Sequence, residues 1–282
     1  MRQIMLFARL TMKEALRKKL AWVLLGLTLL TMVLSGFGMQ RLVANGFEGN
    51  TEGDLLFATS FILILIMFAY SFVLALSAVF VTVPSVAGEI ETCTALAILS
   101  RPVSRMQFLV GKWLGLVILI AAYVSLASAG EFLVVRAVTG YLPPHPLMFV
   151  CFMVAEAVVI LTFAMLVSTR IAPIAGGVLV LGAFMLAWLG GVAVSLGREF
   201  GVQALVTGGT VTRLLLPTDV MWKGAVYALE PAALLATART DDIANFPFFS
   251  LSPPSPAFMV WTVAWVAAIL ALSVRSLRRR EI

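Results

Sequence analysis

Few side chains in this sequence could do chemistry, and most of them are charges set in apolar surroundings. A single histidine, His145, stands between Pro144 and Pro146, and the two cysteines, Cys93 and Cys151, lack any C-x-x-C spacing. These facts argue against a histidine-based metal cluster, a paired-thiolate metal site and a disulfide framework. A zinc protease would need H-E-x-x-H, and a serine protease working in the membrane would need a histidine at depth. His145 supplies neither. What remains is Glu156 inside one apolar run, Glu131 and Arg136 toward the end of another, and a polar segment that carries Glu89, Glu91, Arg101 and Arg105.

An acid near the middle of a bilayer costs a few kcal/mol to insert, so Glu156 needs a reason to be there. Two readings stand: a buried structural acid held by hydrogen bonds, or a group on a translocation path or at a switch between helices. Proton coupling through Glu156, in a secondary transporter or channel-like protein, is the functional alternative that follows from the second. Glu131 and Arg136 are expected as a snorkelling pair at headgroup level.

The elements that must position these groups are membrane helices. The chain is 61% hydrophobic and only 12% charged, with a mean hydropathy of +1.05, far from the roughly 45–50% apolar composition of soluble domains. Six apolar stretches are long enough to span: Leu20 to Phe37, Leu55 to Val83, Trp113 to Val138, Leu147 to Ser168, Pro173 to Leu196 and Ala257 to Val274. Backbone groups in lipid must be paired internally, so these are predicted to be helices. With 282 residues, one membrane domain covering 1–282 leaves no room for a separate catalytic domain.

Charge sets the expected orientation. Lys and Arg gather in residues 1–19, in the segment holding Arg101, Arg105 and Lys112, at Arg170, and at the C-terminus. The positive-inside rule then makes both termini cytoplasmic, with the remaining cations concentrated in one long outer loop, 197–255. The net charge of +6 is explained by topology, and no nucleic-acid partner is inferred from it.

Residues 1–19 place Ile4, Met5, Ala8, Met12, Ala15 and Leu16 at helical spacing opposite Arg2, Arg9, Lys13 and Arg17. That pattern predicts an amphipathic helix in the cytoplasmic interface, in contact with lipid. In the outer loop, Val202 to Leu216 and Val220 to Ala238 are amphipathic runs broken by Pro217 and Pro231. They are expected as short surface or re-entrant helices, followed by a stiff Pro-rich linker, Phe246 to Pro256. The glycines of the fifth stretch, among them Gly176, Gly177, Gly182, Gly190 and Gly191, permit close helix approach. Tyr70, Ser71 and Ser77 are the few polar groups of the second stretch that could face a path, and Tyr70, Ser77 and Gly182 are candidates for a path or a dimer interface.

The cytoplasmic segment Pro84 to Lys112 is the most informative. Thr92 to Leu99 is predicted to form a short helix exposing Leu96, Ile98 and Leu99, stopped by Arg101-Pro102. So little apolar surface cannot hold a helix alone in water, and it should dock into something. The segment resembles the loop between the second and third spans of ABC-2 type transporter permeases. The residues that carry the resemblance are Glu89, Glu91, Thr94, Pro102, Val103, Ser104, Arg105, Gly111 and Lys112, with Cys93 where that family usually has Gly. The stretch Leu214 to Asp219, with its Pro-x-Asp, resembles an element of the NosY-like branch.

The resemblance implies an all-α membrane protein of six transmembrane helices with an N-terminal elbow helix. It also implies that the loop holds a coupling helix, seated in a cleft of a separate ATP-binding cassette ATPase. Glu89, Glu91, Thr94, Leu96, Ile98, Leu99, Arg101, Pro102 and Arg105 would make that contact, as an apolar knob within a polar rim. Two ATPase copies, a second permease copy in a homodimer, and an accessory envelope protein are the implied partners, and a bacterial-type inner membrane the implied location. No Walker A pattern occurs in the chain, so ATP and Mg are expected on the partner. A secondary transporter would instead predict inverted repeats or broken helices with paired midplane charges.

Overall fold

The computed structural model describes residues 2–17, 19–44, 52–91, 104–231 and 248–279, and among these it is built of helices alone. Nine principal helices follow in order: α1 (Arg2–Arg17), α2 (Lys19–Ala44), α3 (Glu52–Val83), α4 (Arg105–Thr139), α5 (Pro146–Ser168), α6 (Pro173–Glu199), α7 (Gln203–Leu215), α8 (Thr218–Leu229) and α9 (Pro256–Arg278). Six of them, α2 to α6 and α9, are long and apolar enough to cross a membrane. They bury one another on one side, while Trp22, Val33, Leu126, Ile174, Val178 and Val263 point outward. Lipid is the natural solvent for such a surface, which water would not tolerate.

Several boundaries depart from the sequence expectation, each for a local reason. The third spanning helix begins at Arg105 rather than Trp113, because Ser104 and Gln107 form a reciprocal capping box there. Its far end closes on Gly140, whose φ of 73° is the left-handed conformation that glycine adopts freely. Helix α3, the second span, does not stop at Val83. It continues through a π-helical turn, Pro84–Gly88, into Glu89–Glu91. Proline lacks the N–H and crowds the preceding turn, and a widened turn accommodates both defects without ending the helix. Of the expected loop Pro84 to Lys112, both flanks are therefore helical, and residues 92–103 lie outside the described residues.

Helix α1 is amphipathic as expected, but it does not simply float on lipid. Phe7, Ala8, Thr11 and Ala15 are buried, whereas Met5 and Leu16, which the periodicity placed on the same apolar face, are about half exposed or more. The cause is Gly111 and Gly115 on α4: a Cβ at either would collide with α1, at Ile4 and Phe7 or at Ala8. These two small residues, four apart, let the backbones approach closely. Phe7 then meets Phe108 edge to face at 5.6 Å.

Helices α7 and α8 form a hairpin folded back between the spans, with Pro217 at the turn. Helix α7 runs down α6, where Gly197 faces Leu205 and Val206, and Gly190 faces Thr212 and Gly209. Helix α8 returns along α5, where Gly224 faces Phe152 and Ala228 accepts a hydrogen bond from the His145 backbone. The described helical part of the second run ends at Leu229, just before Pro231, and residues 232–247 lie outside the described residues. The turn sits beside Gly191, eight residues short of the end of α6, a depth of roughly 12 Å at 1.5 Å per residue. The hairpin therefore packs alongside the spans instead of lying beyond the end of α6.

Candidate functional site

Two polar clusters stand out. The first is at the N-terminal end of α4, on which both α1 and the C-terminus of α9 pack. Lys112, on the fourth helix, is 3% exposed and sends its Nζ to both Glu89 Oε1 and the Ser85 backbone carbonyl. The sequence placed Lys112 in a cytoplasmic loop. Instead it lies one helical turn or two inside α4, facing the widened turn of α3. A π-helical turn leaves carbonyls without their usual partner, and an ammonium with three donors is well suited to satisfy one. Glu89 is therefore held against Lys112, while Glu91 is exposed.

Arg105 has a similar structural use. Its Nη1 donates to the carbonyls of Leu277, at 2.8 Å, and Arg278, at 3.1 Å. These belong to the last turn of α9, where orphan carbonyls and the negative end of the helix dipole favour a cation. Arg170 reaches the same region through Ser276 Oγ at 2.8 Å. The two helix ends that bracket residues 92–103 are thus pinned, one to each other through Lys112 and one to α9 through Arg105. The expected coupling residues Thr94, Leu96, Ile98, Leu99, Arg101 and Pro102 lie outside the described residues.

The second cluster is inside the bundle. Glu156, about 15 Å along α5 from Pro146, is 1% exposed and accepts a hydrogen bond from Ser71 Oγ of α3 at 2.7 Å. Asp219 stands nearby at the start of α8, its carboxylate packed where a Cβ on Gly191 would be and paired with Arg213 Nε at 2.8 Å. Lys223, one turn along, donates to Ser195 Oγ at 3.1 Å. Burial pushes the Asp219 carboxyl up from its ordinary value, with Arg213 and Lys223 acting in the opposite sense. Asp219 also benefits from the positive end of α8, since it lies in the first turn. At the hairpin's other corner, the carbonyls of Leu214 and Leu215 accept indole N–H bonds from Trp261 and Trp265 of α9. Those carbonyls would otherwise end α7 unpaired.

Other expected site residues are dispersed. Arg136 is exposed while Glu131 is 5% exposed, so the snorkelling pair does not form. Five residues apart on a helix, the two point to different faces. Tyr70 and Ser77 are buried within this chain, and Ser77 bonds its own backbone at Val73. Gly182 has open space around it and faces outward. Gly190 and Gly191 serve contact with the hairpin instead. The sequence reading missed the Lys112 tether and the Arg213, Asp219, Lys223 group. The only signals were the paired glycines at 190–191 and the acid two residues after Pro217.

The fold defines a multi-pass helical membrane protein with a helical hairpin packed among its spans. More specifically, the family described as "ABC-2 family transporter protein" matches residues 5–282, so the chain belongs to the ABC-2 transporter family and is a membrane permease component of an ABC transporter. No curated protein matches it.

Proposed function

We propose that this permease forms the translocation path of an exporter and is driven by a separate ATP-binding cassette ATPase that engages residues 92–103. Membership of the ABC-2 family over nearly the whole chain supports the general partnership. The observation that carries the coupling reading is the Lys112–Glu89–Ser85 contact, which ties the two helix ends flanking that loop. A push on the loop would be delivered to α3 and α4 together, and through Arg105 to α9. The polar rim of the coupling contact then comprises Glu91 and Arg101, with Glu89 and Arg105 serving chiefly as anchors.

In this reading two copies of the chain pair as a homodimer, each with one ATPase, and the outward face of α6 around Gly182, Val178 and Leu186 is a suitable contact for the second copy. Both termini face the cytoplasm of a bacterial-type inner membrane, and the Pro217–Asp219 turn supports placement in the NosY-like branch. ATP and Mg are bound by the partner. The test is co-purification with the cognate ATPase after Leu96→Asp and Leu99→Asp: binding should fall at least tenfold, and unchanged binding would refute the assignment of this loop.

A further inference from the structure

Glu131, buried in α4, is an acid that the coupling reading leaves without a use. It lines a cavity of about 10 Å³ between α2, α3 and α4, together with Thr28, Thr31, Tyr70 and Ser128. Three polar atoms in its wall, Glu131 Oε1, the Tyr70 hydroxyl and Ser128 Oγ, make no hydrogen bond of ordinary geometry within the protein, although the Tyr70 and Ser128 hydroxyls lie near one another. All three residues are at least 95% buried. Buried polar groups are costly unless satisfied, and three from two different helices turned toward one small space constitute a site.

Charge balance says what the site holds. Among the described residues no Lys or Arg pairs with Glu131, and Arg136 on the same helix is exposed. The polar groups facing it from α2, among the described residues, are Thr28, Thr31 and Ser35, and Tyr70 is the titratable group that α3 brings to the cavity. An isolated carboxylate in such surroundings is far too costly to keep ionised. A dehydrated metal cation would require more oxygen ligands than the three unpartnered atoms, whereas the volume suits one water making about three hydrogen bonds.

We propose that Glu131, Tyr70 and Ser128 form a buried proton-binding site, in which Glu131 carries the proton and one water bridges it to the two hydroxyls. The site joins three spans, and α2 is among the least buried of them, so the proton helps to seat α2 on the bundle. Access is short. The cavity shares Thr28, Met32 and Ala127 with an apolar crevice of about 510 Å³ on one side of α2, and Thr31 and Ile66 with another of about 290 Å³. Thr28, hydrogen-bonded to Tyr123, forms part of the wall between the cavity and the larger crevice.

The test is infrared difference spectroscopy of the full-length protein in nanodiscs at neutral pH, in H2O and D2O. A protonated-carboxyl band should be present, lost in Glu131→Gln and retained in Glu156→Gln. Tyr70→Phe or Ser128→Ala should shift its frequency without removing it. A band indifferent to Glu131→Gln, or one abolished by adding sodium, would overturn the proposal. Should Glu131→Gln fail to fold, the Tyr70→Phe and Ser128→Ala spectra decide: a shift in either supports the site, and no shift in both refutes it.

Discussion

Ser71 on α3 donates its hydroxyl to Glu156 on α5 at 2.7 Å, and the two side chains are each 1% exposed. The bond links two spans that share a long packed seam in the core, so it fixes their rotation as well as satisfying one carboxyl oxygen. Glu156→Gln keeps an acceptor for Ser71 and should leave thermal stability in detergent within about 1 kcal/mol of the parent. Glu156→Leu removes the acceptor and leaves Ser71 unpaired, with an expected loss of ~1–3 kcal/mol. If ATP-driven transport survives Glu156→Gln, the carboxyl serves packing, and a loss of transport at unchanged stability would assign it to the mechanism.

Gly191 is a second sharp constraint. The Asp219 carboxylate occupies the space that a methyl group would take, and its pair with Arg213 holds the hairpin turn in place. Gly191→Ala should expel Asp219 from this seat and cost ~1–3 kcal/mol as an overpacked core change. Gly182→Ala, with open space around it, should change the stability of the single chain hardly at all. Thermal unfolding of the two variants side by side measures the contrast.

Much of this architecture was legible in the sequence, and the reasons are physical. Spans announce themselves because about 20 apolar residues have no other tolerable environment, and Pro217 announces the hairpin turn because proline cannot continue a helix. Lys112 was misplaced because a lysine next to Gly111 looks like a loop cation until the π-helical turn of α3 is seen to offer it a carbonyl. Pairing between distant helices leaves no periodic trace. For the same reason nothing in the spacing of Glu131 and Tyr70, on separate spans, showed that they share a cavity.

The Lys112 tether gives the third prediction. Lys112→Ala strips a buried donor from Glu89 and from the Ser85 carbonyl, and about 2 kcal/mol of stability should go with it. Coupling should suffer separately: nucleotide hydrolysis by the bound partner is expected to lose its dependence on the permease while the complex still assembles. In a double-mutant cycle, Glu89→Gln with Lys112→Met should cost less than the sum of the single changes, because neither then leaves the other's charge unpaired. Strict additivity would show that the contact carries no energy.

Glu230, at the end of the α7–α8 hairpin and outside the spanning helices, is expected to make the stability of the fold depend on pH. It is 1% exposed and accepts a hydrogen bond from the Ser250 backbone N–H at 3.0 Å. Burial pushes its carboxyl up to about 8, against the lowering effects of the Ser250 bond and Lys223. A carboxyl raised on folding contributes stability that is complete below its unfolded value of 4.5 and is lost as pH rises through about 8. The Tm in detergent should therefore decline across that interval, and Glu230→Gln should flatten the decline, since the amide oxygen still accepts from Ser250 while no longer ionising. An unchanged pH profile in Glu230→Gln would mean that another group governs the slope.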